Sequence, residues 1–395
     1  MPDDRKKLGG NSRRPSRCLC RTRHHGRVDA TPDEIETLAE LRIWLDKRTL
    51  AGLAIQGLDL TGVPLADVAV EDALFIGCRL TTSVAADLVA RGASVVPELA
   101  HAPYPTHPSA LYTAADLTAG FESGGFAGMY DSRVYEHFVA HGGPLPPIRE
   151  ALSQRLHDHG IDNALADTLA LWKSAVDAGP VVGVMGGHAE PRGSSAYRSA
   201  VALGHALAGA GALVLTGGGP GVMEAANLGA YLPAGVGTDV VDELATAPHF
   251  ADHEPFTAVA LAVRERYPAT SPWAGGLSIP TWLYGHEPAN LFAGRIAKYF
   301  SNAIREDTIL RAARGGIVFA PGKAGTVQEV FQAATKAFYG SDGESGPMIF
   351  LGRRYWTDVL PVEALLGPLL AQAPTEPPRI TLTDDVDEAV ALLTT

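Results

Sequence analysis

Two glycine-rich segments constrain the fold of this 395-residue chain most strongly. Each segment follows a short apolar run and precedes a stretch of helical periodicity. The first covers residues 216–221 (TGGGPG) and the second covers residues 321–326 (PGKAGT). A strand, a glycine loop and a helix in this order present backbone N–H groups to an anion at the end of a parallel sheet. The two segments therefore predict one ligand crevice with a glycine segment on each side, and these two sides are its lips. Such a crevice is typical of proteins that bind nucleotides.

The region from residue 179 to residue 395 repeats this alternation of strand and helix. Helical patterns separate apolar runs that are typical of buried strands, at residues 181–185, 212–215, 277–279, 317–320, 348–351 and 379–382. This order predicts an α/β fold with a doubly wound, Rossmann-like parallel sheet. A further helix is expected over residues 290–304. Ligands of such sheets bind at the carboxyl ends of the strands, where both glycine segments lie.

An N-terminal extension carries apolar residues at a period of five. One column contains Ile55, Leu60, Leu65, Val70, Phe75 and Leu80, and a second contains Leu53, Leu58, Val63, Val68, Ala73 and Cys78. Fixed self-similarity of this kind indicates stacked units, and it resembles the pentapeptide repeat, a square β-helix. The alternative is a few short strands with chance spacing. The predicted organisation is a disordered basic tail (1–30), a helix and pentapeptide-repeat-like region (31–100), a linker and helical region (101–178) and the nucleotide-binding domain (179–395).

Charge is unevenly distributed along the chain. Residues 1–30 hold nine Lys or Arg and three Asp, a balance of +6, and the whole chain carries −12, so residues 31–395 carry −18. An acidic body repels nucleic acid, which makes nucleic acid an unlikely partner. No apolar run is long enough to span a membrane, no signal peptide is recognisable, and three cysteines form no disulfide framework. We therefore expect a cytoplasmic protein without a membrane partner.

Neither glycine segment fits the common nucleotide fingerprints. No Gly-x-x-x-x-Gly-Lys-Ser/Thr spacing occurs, and counting six positions from Gly217 reaches Val222 where the dinucleotide fingerprint has glycine. ATP hydrolysis and NAD chemistry therefore lose support. No His, Asp or Glu cluster has metal-ligand spacing, so neither a metal nor a cofactor is expected. A tight strand-to-helix turn without a ligand is the alternative interpretation of each loop.

Residues 217–227 (GGGPGVMEAAN) and 321–329 (PGKAGTVQE) resemble the two signature segments of the LOG (Lonely guy) family, especially its larger bacterial nucleoside 5′-monophosphate nucleosidases. The resemblance implies a hydrolase of purine and pyrimidine metabolism. Such a phosphoribohydrolase cleaves the N-glycosidic bond of a nucleoside 5′-monophosphate to free base and ribose 5-phosphate. It also implies a homodimer or higher homo-oligomer. An apolar stripe on the helix after Thr326 is compatible with self-association or with core packing.

The chain departs from the family at two places. Lys323 replaces the second glycine of the second motif, and residues 305–307 (RED) replace an Arg-Lys pair, so that only Arg305 is carried over. The lysine could narrow the loop or supply a cation for phosphate. These departures favour the alternative function, a nucleotide-binding regulatory protein without catalysis.

The resemblance assigns catalysis to Glu329 and Arg305. A carboxylate near the anomeric carbon stabilises positive charge and orients water, and an arginine grips phosphate or the leaving base. Alternatively, Thr326 and Glu329 form a capping box. Glu224 either benefits from the helix dipole or binds ribose hydroxyls. The expected substrate-binding residues are Gly217, Gly218, Gly219, Gly221, Glu224, Gly322, Lys323, Gly325, Thr326 and His286, the last within a polar and aromatic segment at 278–288.

Overall fold

Two parallel sheets organise the chain, one of four strands near the N-terminus and one of seven strands in the C-terminal half. The computed structural model describes residues 33–99, 102–175, 178–236, 239–285, 287–341, 343, 345–374 and 376–394. The predicted basic tail and His286 therefore lie outside the described residues.

The four-stranded sheet coincides with the segment that has a five-residue period. Its strands, in spatial order, are β1 (Glu34–Ile35), β2 (Ala54–Gln56), β3 (Leu74–Ile76) and β4 (Ser94–Val96). Register pairs join residues that are twenty positions apart, Glu34 to Ala54, Ala54 to Leu74 and Leu74 to Ser94. Four five-residue units therefore form one coil, and the coils stack as in a square β-helix.

Both apolar columns of the repeat face the inside of this stack. Ile55 and Phe75 are fully buried, and the other members are buried or packed against the same cluster. Two helices flank the coils, α1 (Leu38–Asp46) and α2 (Thr82–Ala90). A capping box formed by Thr37 and Glu40 starts α1.

Four helices connect the repeat stack to the larger sheet: α3 (Ala114–Thr118), α4 (Phe121–Gly128), α5 (Tyr130–Ala140) and α6 (Ile148–Lys173). Leu117, Val134 and Ile161 are fully buried in the same hydrophobic core as the seven-stranded sheet. The core is therefore continuous across the boundary predicted near residue 179, and the division into domains stays a prediction. Among the described helices, none combines the length and the apolar character needed to cross a bilayer.

The larger sheet contains seven parallel strands, which are β5 (Val181–Met185), β6 (Leu213–Thr216), β7 (Leu277–Ser278), β8 (Arg295–Ile296), β9 (Ile317–Phe319), β10 (Met348–Leu351) and β11 (Ile380–Thr383). Their spatial order is β11-β10-β9-β5-β6-β7-β8. The sheet extends from β5 through β6 and β7 to β8, and the chain then returns to place β9 on the other side of β5. The predicted doubly wound α/β fold is confirmed, and its topological switch point lies between β5 and β9.

Helices follow most of these strands. They are α7 (Ser195–Gly209), α8 (Val222–Tyr231), α9 (Asp239–Leu244), α10 (His253–Arg266), α11 (Asn302–Ala312), α12 (Ala324–Tyr339), α13 (Val362–Leu370) and α14 (Val386–Thr394), with a π-helical turn at Tyr355–Val359. On α12, Val330 and Ala334 are buried in the core and Phe331 is exposed. Most of the apolar stripe thus packs internally, and self-association stays a prediction.

The prediction of a helix over residues 290–304 is wrong. Residues 290–301 form turns and the edge strand β8, and α11 begins only after the N-cap Ser301. Gly294 approaches the neighbouring chain so closely that a Cβ there would lie 2.6 Å from the carbonyl oxygen of Ala274. The apolar residues of this stretch are therefore buried by sheet pairing and close backbone packing, which produces a helix-like pattern without a helix.

The repeat stack docks on the rest of the chain through His107. A Cβ on Gly77 would lie 2.3 Å from the His107 ring, and a Cβ on Gly57 would lie 2.8 Å from the His107 Cβ. Both glycines have a left-handed backbone, with φ of +63° and +64°. Nearby, the Glu34 carboxylate accepts a hydrogen bond from Asn163 of α6 at 2.8 Å. Gly57 and Gly77, in adjacent coils, therefore leave the space that the His107 side chain occupies.

We expect Gly77→Ala to lower the melting temperature more than Gly62→Ala. Gly62 has a φ of +80° and open space around its Cβ position, so alanine there costs only left-handed strain of about 1 kcal/mol. Alanine at position 77 adds a collision with His107, which costs roughly another 1–3 kcal/mol. Thermal unfolding of the two variants checks this, and equal shifts would contradict the docking role of His107.

Candidate functional site

The two glycine loops lie side by side at the carboxyl edge of the large sheet. Loop 1 (residues 217–221) follows β6 and loop 2 (residues 320–323) follows β9, and β5 lies between these strands. The Gly187 N–H, just beyond β5, donates to the Pro321 carbonyl at 3.0 Å, and the Gly187 carbonyl accepts from the Val222 N–H at 3.2 Å. One peptide segment thus links both lips of a single crevice.

Loop 1 depends on glycine for its conformation. Gly218, Gly219 and Gly221 have φ values of +114°, +110° and +75°, which side-chain-bearing residues rarely adopt. At Gly217, which does not have a left-handed backbone, a Cβ would lie 3.1 Å from Sδ of Met223 and 3.4 Å from Nη1 of Arg305. The loop backbone is therefore held close to a guanidinium group that comes from α11.

Loop 2 leads into α12 earlier than the sequence pattern indicated. The helix begins at Ala324 with Lys323 as its N-cap residue, so Gly325 and Thr326 belong to the first turn, where N–H groups lack intrahelical acceptors. Lys323 has a φ of −108° and an exposed side chain, so lysine fits without left-handed strain. Together, the first-turn amides and the lysine ammonium form a site suited to an anion.

The alternative interpretation, in which Thr326 and Glu329 form a capping box, is wrong. Because the N-cap residue is Lys323, Glu329 lies in the second turn of α12 and does not reach the start of the helix. Glycine is nevertheless required near this turn, since a Cβ on Gly322 would lie 2.1 Å from the hydroxyl oxygen of Thr326. Glu329 instead points to Arg305.

Arg305 joins the two lips through a buried charge cluster. Its Nη1 lies 3.7 Å from Oε1 of Glu329, and its Nη2 donates to Oε1 of Glu287 at 3.1 Å. The Arg305 side chain is only 7% exposed, and its Nε has no hydrogen-bond partner among the described residues. The guanidinium therefore contacts a residue from each wall of the crevice and keeps one N–H for a further acceptor.

A third carboxylate completes the cluster. Glu306, which stands where the family pattern has lysine, accepts hydrogen bonds from Gln328 at 2.6 Å and from Asn302 at 2.7 Å. Burial raises the pKa of Glu329 from 4.5 to about 7; Arg305 opposes this shift, and the charges of Glu306 and Glu287 reinforce it. The Glu329 carboxyl therefore titrates near neutral pH and not in its usual acidic range.

Glu224 lies beside loop 1, but its carboxylate is bound by neighbouring side chains. The buried guanidinium of Arg192 binds both of its oxygens, with Nε donating to Oε2 at 2.9 Å, and the Tyr197 hydroxyl donates to the same oxygen at 3.1 Å. Arg192 also lies 3.2 Å from the ring centre of Phe256. Glu224 therefore fixes α8 to neighbouring segments and has little capacity for ribose hydroxyls.

Residues 278–285 and 287–288 lie over loop 1. A Cβ on Gly218 would lie 2.6 Å from the Pro280 side chain, Trp282 is buried, and Glu287 extends to Arg305. Sequence reasoning singled out this segment but not Glu287 itself, for which no motif gave a signal. No group of three or more His, Cys, Asp or Glu is arranged for a metal within the part of the chain that the structure describes.

We expect Glu329→Gln to stabilise the fold increasingly as pH rises. The folded carboxyl keeps its proton up to about pH 7, whereas the unfolded carboxyl loses it near 4.5, so wild-type stability declines across this window. Glutamine does not titrate, and its pH-dependent advantage should approach about 3 kcal/mol at pH 8. Denaturant unfolding at pH 4 and pH 8 measures it. Glu363→Gln, at an exposed glutamate, is the control. If the free energy of unfolding differed between Glu329→Gln and wild type by the same amount at both pH values, the burial of a titrating acid at position 329 would be contradicted.

Comparison with known proteins gives a match to one sequence family, and the solved structures that resemble the chain include two of low identity. Residues 179–249 match the family described as the SLOG cluster4 family. The structure of TM1055, a structural genomics target, is 22% identical over 54% of this chain and 98% of that chain, with a TM-score of 0.34. The molybdenum cofactor binding protein of Rippkaea orientalis is 19% identical over 54% and 95%, with a TM-score of 0.33. No curated protein sequence matches the chain.

Proposed function

We propose that this chain, whose residues 179–249 match the SLOG cluster4 family, is a phosphoribohydrolase that splits nucleoside 5′-monophosphates into free base and ribose 5-phosphate. The observation that carries the proposal is the contact of Arg305 with Glu329 and with the backbone position of Gly217. A cation, a buried acid and two glycine loops meet at the switch point of the sheet, where ligands of this fold class bind.

The phosphate group is assigned to loop 2. First-turn amides of α12 supply N–H donors, and Lys323 adds a cation at the same end of the helix. A phosphate held there would place the ribose toward the second turn of α12, where Glu329 faces the crevice. Gly325 leaves open space at the first turn of α12, because a Cβ there would meet no atom within 4 Å.

Glu329 is assigned to the anomeric carbon. Cleavage of an N-glycosidic bond passes through an oxocarbenium-like state, and an ionised carboxylate stabilises its positive charge and accepts a proton from the attacking water. A base with a pKa of about 7 is well matched to this task at neutral pH. Arg305 favours the ionised form, because its guanidinium charge lowers the pKa of Glu329 against the effect of burial.

We expect the purified protein to release free base from one or more of AMP, GMP, CMP, UMP and a cytokinin monophosphate. Glu329→Gln should lower kcat by about 100-fold or more, because the carboxylate is lost at the reacting carbon. Chromatography of the products measures the release, with Glu363→Gln as the exposed matched control. Tight nucleotide binding without any release of base would instead support a regulatory protein.

The pH profile should show Glu329 directly. Activity that needs the carboxylate falls as pH drops through about 7, so the wild-type kcat/KM should have an acid limb near that value. Residual activity of Glu329→Gln should lack this limb. An acid limb that persists unchanged in the variant would assign the titration to another group.

We expect Lys323→Ala to raise KM for nucleoside 5′-monophosphates by about tenfold, the size of one charge-assisted contact. The kcat value should change little, because the lysine is assigned to the phosphate and not to the reacting carbon. Steady-state kinetics with a nucleotide and with its phosphate-free nucleoside tests this, and Lys173→Ala, also at an exposed lysine, is the control. An equal loss on both substrates would contradict the phosphate role.

A further inference from the structure

A cavity of about 220 Å³ adjoins the charge cluster, and Glu287 belongs to both. The segment 278–288 forms one wall, and α4 and α5 of the helical region form another. Its lining includes Phe126, Asp131, Tyr135, Phe250, His253 and Trp282. The volume corresponds to roughly seven water molecules. The cavity therefore has room for a flat heterocyclic ring beside the proposed site of ribosyl chemistry.

Aromatic rings shape this cavity. Phe126 stacks on His253 with ring centres 4.5 Å apart and planes inclined by 18°, and Phe250 packs against the same imidazole at 4.5 Å. A kink at Gly125, where φ is +62°, positions Phe126, whose N–H donates to the Glu254 carboxylate at 2.7 Å. The backbone is thus specifically arranged to place a phenyl ring at the cavity, and aromatic rings stack favourably on nucleobases.

Most of the buried polar groups in the cavity wall are already satisfied. Asp131 accepts from Lys298 Nζ at 2.8 Å and from the Trp282 indole at 2.7 Å. The Lys298 ammonium also donates to the Glu287 carbonyl at 3.3 Å. This ion pair holds the wall together, because a buried ammonium and a buried carboxylate compensate each other.

One polar atom of the lining is not satisfied. Nδ1 of His253 is buried and has no hydrogen-bond partner within the described part of the chain. Buried polar atoms normally have a partner, and an orphan beside a cavity points to a ligand that supplies one. The lining also contains two acidic side chains. Glu287 is already bound by Arg305 and by the Thr281 N–H, and Glu136 lies at the exposed mouth. The Glu136 carboxylate can accept a hydrogen bond, which favours ligand groups that donate one.

We propose that this cavity binds the base of the nucleotide and favours bases that carry an exocyclic amino group. The inference rests on the proposed function, because it places the ribose between the cavity and loop 2. It gives the helical region a specific role: α4 and α5 supply the wall on which the base stacks. His253 is the specificity residue, since its buried nitrogen pairs with the ring edge.

Calorimetry on the full-length Glu329→Gln protein tests the location of the base. AMP and ribose 5-phosphate share every group except the base, so only AMP should respond to changes in the cavity. We expect Phe126→Ala and His253→Phe each to raise the Kd of AMP about tenfold. Both should leave the Kd of ribose 5-phosphate within twofold. His249→Phe, at an exposed histidine four residues earlier, is the matched control and should change neither.

Hydrogen exchange on Glu329→Gln alone provides a second measurement, which does not depend on a variant of the cavity. AMP should protect amides of residues 121–136, and ribose 5-phosphate should not.

Substrate pairs test the selection for amino groups. For the wild-type protein, kcat/KM should be higher for AMP than for IMP and higher for CMP than for UMP, because only the first of each pair carries the amino group.

The outcomes separate the two proposals. Unchanged AMP affinity in both cavity variants, or equal protection of residues 121–136 by AMP and ribose 5-phosphate, would overturn the base site while leaving the hydrolase intact. Equal kcat/KM within both substrate pairs would overturn the selection for amino groups. Failure of the parent protein to bind either AMP or ribose 5-phosphate would overturn the proposed function and this inference with it.

Discussion

The buried guanidinium of Arg305 is the interaction on which the arrangement of the crevice depends. It lies against loop 1 at Gly217 and reaches Glu287 and Glu329, so it connects three segments that are distant in sequence. Burial raises the pKa of Glu329 to about 7, and the guanidinium charge of Arg305 limits this rise. The contact that joins the walls therefore also acts on the ionisation of Glu329.

The features that were predictable from sequence are those with a local physical cause. The two glycine loops, the alternation of strands and helices and the five-residue period all follow from backbone geometry or from burial of one face, and each is confirmed. The match of residues 179–249 to the SLOG cluster4 family agrees with the resemblance to LOG proteins that the loops suggested. Glu329 and Arg305 were also singled out, and the structure brings them together.

The features that were not predictable arise from contacts between distant residues. Nothing near Glu224 in the sequence indicates that Arg192, thirty-two residues away, occupies its carboxylate. The helical pattern at 290–304 was misleading, because its apolar residues are buried by pairing at the sheet edge. Similarly, Asp131 and Lys298 are 167 residues apart, and only the fold reveals that they form one buried ion pair.

Gly187 contributes to the crevice through its peptide group alone. Its N–H donates to Pro321 on one side and its carbonyl accepts from Val222 on the other, so main-chain bonding contributes to the spacing of the lips. A substitution of side chains around the opening leaves these two hydrogen bonds in place. Part of the crevice geometry is therefore independent of the residues that would contact a ligand.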